Sequence, residues 1–113
     1  MAKAKVYVVQ DATFYDPERK EYKSKFNLSS AQEHGDLVFL LPSGDLNNPQ
    51  EVISVLQKKL GEYGMNDFIL PIGSPDAIGW AVAIAANITD GYVNTLTWRR
   101  QARCYQVRRA QLW

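Results

Sequence analysis

Asp67-Phe68-Ile69-Leu70-Pro71-Ile72-Gly73-Ser74-Pro75-Asp76 begins as an apolar run and ends as the start of a helix. Asp67 to Ile72 reads as a buried strand, and Gly73-Ser74-Pro75-Asp76 then opens a helix. Ser74 stands where an N-cap belongs, and Pro75 takes the first helical position, where a missing N–H costs nothing. Asp76 then complements the positive end of the helix. The helix runs from Pro75 to about Asn87 and is apolar nearly all round (Ile78, Trp80, Ala81, Val82, Ala83, Ile84, Ala85, Ala86). That composition predicts a helix largely buried or facing a partner. A buried strand feeding a helix is half of a parallel crossover, so these residues set the fold class as α/β.

The preceding stretch repeats the pattern. Asp36 to Leu41 (Asp-Leu-Val-Phe-Leu-Leu) is a continuous apolar run stopped by Pro42, as expected of a strand covered on both faces. A Gly/Asn/Pro-rich loop from Ser43 to Asn48 follows. Asn48 caps a second helix with Pro49 first in, and Val52, Ile53, Leu56, Leu60 and Tyr63 recur at helical spacing. Gly64 is expected to close that helix. Towards the N-terminus, Lys5 to Gln10 is β-branched and aromatic and reads as a first strand. Asp11 to Lys25 is polar, carries Asp16-Pro17 and reads as loop. Within Phe26 to Glu33 a short turn is expected, capped by Ser30 with Glu33 or by Ser29 with Gln32, and stopped by Gly35.

Beyond the second helix, Asp90-Gly91 marks a turn. Tyr92 to Trp98 and Arg103 to Leu112 read as two strands of a hairpin with its turn at Arg99 to Ala102. The order β–β–α–β–α–β–β makes the middle strands parallel and puts the hairpin at one edge. The expected architecture is a single α/β domain over residues 1–113. It has a mixed sheet of about five strands, two main helices and a C-terminal β-hairpin.

With 113 residues, 46% apolar and 22% charged, the chain can bury a core and is not compositionally disordered. Its longest apolar stretch, Ala77 to Ile88, falls short of the ~18 residues that span a bilayer, and the N-terminus runs into a strand with no cleavable apolar segment. One cysteine, Cys104, excludes an internal disulfide and fits a reducing cytoplasm. A cytoplasmic location and no membrane partner are therefore expected.

Charge divides sharply along the chain. Residues 1–90 hold eight Lys/Arg against twelve Asp/Glu, whereas 91–113 hold five arginines and no carboxylate, so the formal +1 hides a dipolar molecule. Arg99, Arg100, Arg103, Arg108 and Arg109 interleave with Trp98, Tyr105 and Trp113. Arginine with Trp and Tyr is the composition of protein-interface hot spots, and it also suits phosphate contact with base stacking. Trp98, Arg99, Arg100, Arg103, Tyr105, Arg108 and Arg109 are thus the candidate partner-binding residues. A protein partner is expected first and nucleic acid second, against the alternative that internal carboxylates neutralise the arginines. A homodimer through the apolar helix or an edge strand is compatible.

Gly44, Gly73 and Ser74 form a second candidate set, because ligands in parallel sheets sit beyond the carboxyl ends of strands near helix N-termini. They would suit a phosphate or nucleotide. Neither a G-x-G-x-x-G nor a G-x-x-x-x-G-K-[ST] accompanies them, Asp45 and Asp76 place negative charge nearby, and turn and cap roles account for the same residues. No metal site is expected: His34 is the sole histidine and reads as a loop residue, and Cys104 as a buried thiol. Asp11, Asp16, Glu18 and Glu21 alternate with cations, as on a solvated face. No cofactor and no catalytic residue are predicted, which favours a binding protein over an enzyme.

Five stretches together carry a resemblance: Val6-Tyr7-Val8-Val9-Gln10, Lys25-Phe26-Asn27-Leu28-Ser29, Gly35-Asp36-Leu37-Val38-Phe39-Leu40-Leu41, Asp67 to Pro75, and Leu96-Thr97-Trp98-Arg99-Arg100. With them the chain resembles a group of small bacteriophage and prophage proteins of unassigned function. That group shows K-F-D-L-S, G-D/E-L-V-x-L-L, D-Y-L-L-P-I-G-D-P and L-x-W-D-R. Asn27, Ser74 and Arg99 each replace an Asp of the pattern, which weakens any acid- or metal-dependent chemistry. The resemblance implies a phage-encoded accessory protein in the bacterial host cytoplasm and no activity; in that setting the partner expected at the arginine hairpin is a host or phage protein.

Overall fold

The central parallel strands carry hydrophobes on both sides, and in the structure, a computed structural model, helices cover one of those sides. It describes residues 3–24, 26–44 and 46–113. Strands β1 (Lys5–Gln10), β4 (Asp36–Leu41), β5 (Phe68–Leu70), β6 (Tyr92–Arg99) and β7 (Cys104–Gln111) form one sheet, with β2 (Thr13–Asp16) and β3 (Glu21–Ser24) as a separate hairpin. The order in the sheet is β4-β1-β5-β6-β7. β1 pairs in parallel with β4 and β5, β5 with β6, and β7 closes the far edge antiparallel to β6. The mixed five-stranded sheet, two helices and C-terminal strand pair are those expected from sequence.

Strand alternation sends Tyr7, Val9, Ile69 and Val93 to one face and Val6, Val8, Phe68, Leu70 and Leu96 to the other. The first face is covered by both helices, α1 (Pro49–Lys59) and α2 (Pro75–Ile88), through Val52, Leu56, Ala77, Ala81, Ala85 and Ala86. Among the described residues the second face has no α-helix. Only the segment after β3 reaches it, laying Leu28 and Ala31 on Val6, Val8 and Phe68.

Several local expectations are corrected. Asp11 to Lys25 is not all loop: β2 and β3 pair along Thr13↔Ser24 to Asp16↔Glu21, with the Tyr15 and Tyr22 rings 5.3 Å apart. Asp16 does make the turn, its carboxylate accepting from the Glu18 and Arg19 amides. A ribbon with both faces in water has no buried side to print an alternation. Lys25 and Asp45 lie outside the described residues.

The β4 run is an edge strand with Phe39 exposed, not a strand covered on both faces. α1 ends at Lys59, with Leu60 as C-cap, not at Gly64. Gly64 instead donates its N–H to the Asp67 carboxylate, which also accepts from Lys5. The turn Ala31–Glu33 has Ser30 at its N-cap position without a side-chain bond, and Asn27 makes the local bonds, accepting from the Ser29 amide and hydroxyl. α2 is only half buried. Its alanine stripe meets the sheet while Gly79, Ala83 and Asn87 face water, small residues that leave little apolar surface uncovered.

Candidate functional site

The chain reverses its direction of travel across the sheet at β1, since β4 lies on one side of it and β5 on the other. Such a switch point leaves a crevice beyond the carboxyl ends of the two inner strands. Gly44, Gly73 and Ser74 surround it, as their places after β4 and β5 require. Gln10, the last residue of β1, fills it. Its Nε2 donates to Pro42 O (3.2 Å) and Gly44 O (2.7 Å), and its Oε1 accepts from the Ser74 N–H (2.8 Å). Only 6% of Gln10 is exposed. The Ser74 N–H, just ahead of α2, therefore already has an internal acceptor. Ser74 caps by position only, because its side chain makes no cap bond. Gly73 (φ +120°) passes so close that a Cβ there would lie 2.3 Å from the Gln10 Cβ.

The second face of the sheet offers more room. Leu70, Ile72, Leu96, Tyr105 and Trp98, with Phe26 and Asn27 along one side, wall a cleft of about 490 Å³. Register puts Trp98 opposite Tyr105, and their rings meet edge to face with centroids 5.0 Å apart. Tyr105 is the buried member, its hydroxyl pKa raised by that burial, whereas Trp98 is 47% exposed. The pair thus forms a rigid apolar floor with one indole left to meet something outside.

The arginines do not form one flat patch around this floor. β7 alternation turns Arg109 to the same face as Tyr105 and Val107, where its guanidinium lies 5.9 Å from the Phe68 ring centroid. Arg108 points to the opposite face, in register with Thr95. Arg99 also points there, and its Nε donates to Gln106 Oε1. Arg100 and Arg103 sit in the four-residue turn, Arg103 with φ +52°. All five are exposed, and among the described residues none has a carboxylate within ion-pair distance; the ion pairs are Lys3–Asp36, Lys5–Glu62 and Lys23–Asp16.

Cys104 is exposed rather than buried, because β7 extends beyond the helix layer and its helix-side residues stay in water. His34 ends the short turn and packs edge-on against Phe68 at 5.8 Å. Among the described residues no three His, Cys, Asp or Glu side chains converge as a metal site requires. Nor is any helix long and apolar enough to cross a membrane.

Two features escaped sequence reasoning. Gln10 gave a faint signal, as a polar residue ending an apolar strand beside a switch point. The cleft gave none, because it exists only where the sheet's second face lacks a helix.

These features define a small α/β protein with helices on one face of its sheet, an apolar cleft on the other and a cationic edge. The chain belongs to the Phage Pam3 gp32-like protein family, whose model matches residues 4–111. It is thus a phage-family protein, as the resemblance implied. No curated protein and no solved structure gives a significant match.

Proposed function

We propose that this chain is a non-enzymatic binding protein that docks a protein partner on the C-terminal hairpin and the open sheet face beside it. The observation that carries this is Trp98. It stands 47% exposed over a cleft of about 490 Å³ on a face no helix covers, braced by Tyr105. Trp, Tyr and Arg are the residues on which interface energy concentrates, and here they occur together. The cleft's walls (Leu70, Ile72, Leu96) supply apolar surface to exclude water, and Arg100 and Arg103 at the hairpin turn supply a charged rim.

The test uses the full chain, tagged, to capture proteins from phage-infected host lysate. The captured protein is then identified by mass spectrometry and its affinity measured with purified components. Trp98→Ala combined with Arg100→Glu and Arg103→Glu should weaken that affinity by about a hundredfold, as loss of a hot spot does. Melting temperature should stay close to wild type, because these residues are exposed. Undiminished capture by the triple variant would remove the hairpin from the contact surface.

A further inference from the structure

The outer edge of β7 is an eight-residue strand whose ladder partners lie on one side only. The Leu112 N–H donates to Gly91 O at 2.7 Å, continuing the β6–β7 register by one pair. In an antiparallel ladder, hydrogen-bonded pairs alternate with non-bonded ones. Val93↔Ala110, Thr95↔Arg108 and Thr97↔Gln106 are therefore the bonded pairs. Tyr105, Val107, Arg109 and Gln111 turn their N–H and C=O groups to the free edge. Among the described residues, none of these amides is taken by a loop or side chain.

The arginines that fail to make one flat patch bracket this edge instead. Arg108 flanks it from one face with Arg103 at its start, and Arg109 lies on the other face, its guanidinium folded inward over Phe68. A strand laid along β7 would meet Arg108 on one face and, once its guanidinium leaves Phe68, Arg109 on the other.

Resting on the docking role proposed above, we infer that β7 takes an acidic extended segment of another protein by strand addition. Main-chain bonds to the outward amides supply attachment, and carboxylates on both faces of the added strand, opposite Arg108 and Arg109, supply selectivity. Cations on an edge strand ordinarily prevent unwanted pairing. Here the same charges admit only a strand of opposite sign. A second copy of this chain is disfavoured as occupant, because β7 has no carboxylate and pairing it with itself would crowd arginine against arginine.

The probe is a synthetic Glu/Val peptide as long as β7, with pairs of adjacent Glu separated by Val so that carboxylates project to both faces, and a Lys/Val peptide of the same pattern is the control. Both are titrated against the full-length protein by calorimetry, and amide exchange is followed by NMR. The Glu/Val peptide should bind, weaken as salt rises, and protect the amides of Tyr105, Val107 and Arg109. Val107→Pro removes an outward N–H that β6 does not use, so it should abolish binding while leaving the β6–β7 ladder intact. Arg108→Glu with Arg109→Glu lies on exposed positions and provides the second variant if the proline lowers stability. It should weaken the Glu/Val peptide by about tenfold or more and favour the Lys/Val one.

Equal binding of the two peptides, no binding of either, or wild-type affinity in the proline variant would overturn strand addition. So would wild-type dimers that the charge reversal dissociates. If the natural partner's capture needs Trp98 but survives Val107→Pro, the docking surface stands and the strand mode falls.

Discussion

Replacing Gln10 by alanine is expected to cost about 3 kcal/mol of folding stability, taking about 1 kcal/mol for each hydrogen bond lost. The side chain makes three bonds, to Pro42 O, Gly44 O and the Ser74 N–H, which together tie β1 to the loops after β4 and β5. Alanine keeps the Cβ beside Gly73 and removes every polar atom. The three backbone groups must then find water in a crevice where Gln10 itself was 6% exposed. Water entering that crevice would recover part of the loss, and an unfilled space would add to it, so the range runs from about 2 to about 4 kcal/mol. Urea unfolding followed by tryptophan fluorescence measures the change as a shift in midpoint at constant slope. The variant also frees the Ser74 N–H at the N-terminal end of α2. Inorganic phosphate should therefore raise its melting temperature more than that of the wild type, whose Ser74 amide already has an acceptor. A loss below about 1 kcal/mol would refute the view that Gln10 holds the switch point together. An equal phosphate shift in both proteins would refute its role as the internal occupant of an anion position.

Three further outcomes follow from the same geometry. Gly73→Ala should destabilise by more than 2 kcal/mol, roughly twice Gly44→Ala or more, in chemical denaturation. Both have positive φ, yet only Gly73 would push a Cβ into Gln10 while Gly44 has open space around it. Asn48→Ala should cost about 1 kcal/mol and Ser74→Ala almost nothing in thermal melts, since Asn48 Oδ1 accepts from the Gln50 and Glu51 amides and Ser74 makes no such bond. Burial raises the hydroxyl pKa of Tyr7, Tyr63 and Tyr105, so the unfolded chain gives up these protons first as pH rises. Stability should hold below about pH 10 and decline above it, and Tyr→Phe at Tyr7 should flatten that decline in melts taken across the alkaline range.

The sequence by itself determined the βα units and the hairpin, because each has a local physical signature. A strand buried on both faces shows an apolar run, as Phe68–Leu70 does, and Pro49 and Pro75 can start a helix but not continue one. Asp90 and Gly91 take the positive φ values that a tight turn needs. It also set the one-sided charge of the last segment, which is a matter of composition alone. Local signals misplaced what depends on neighbours. Phe39 looked covered on both faces because periodicity does not tell an edge strand from a central one. Cys104 looked buried because nothing in the chain says how far the helix layer extends.

Only the tertiary structure decided which functional residues share a space. Gln10, Gly44 and Ser74 are far apart in the chain and meet because β1 lies between β4 and β5. The cleft under Trp98 exists because both helices pack on the same face and leave the other to a short segment. Arg108 and Arg109 are adjacent in sequence and face opposite ways, since successive side chains of a strand alternate. Sequence order records which charges the hairpin carries, while strand order and pleat determine where those charges point.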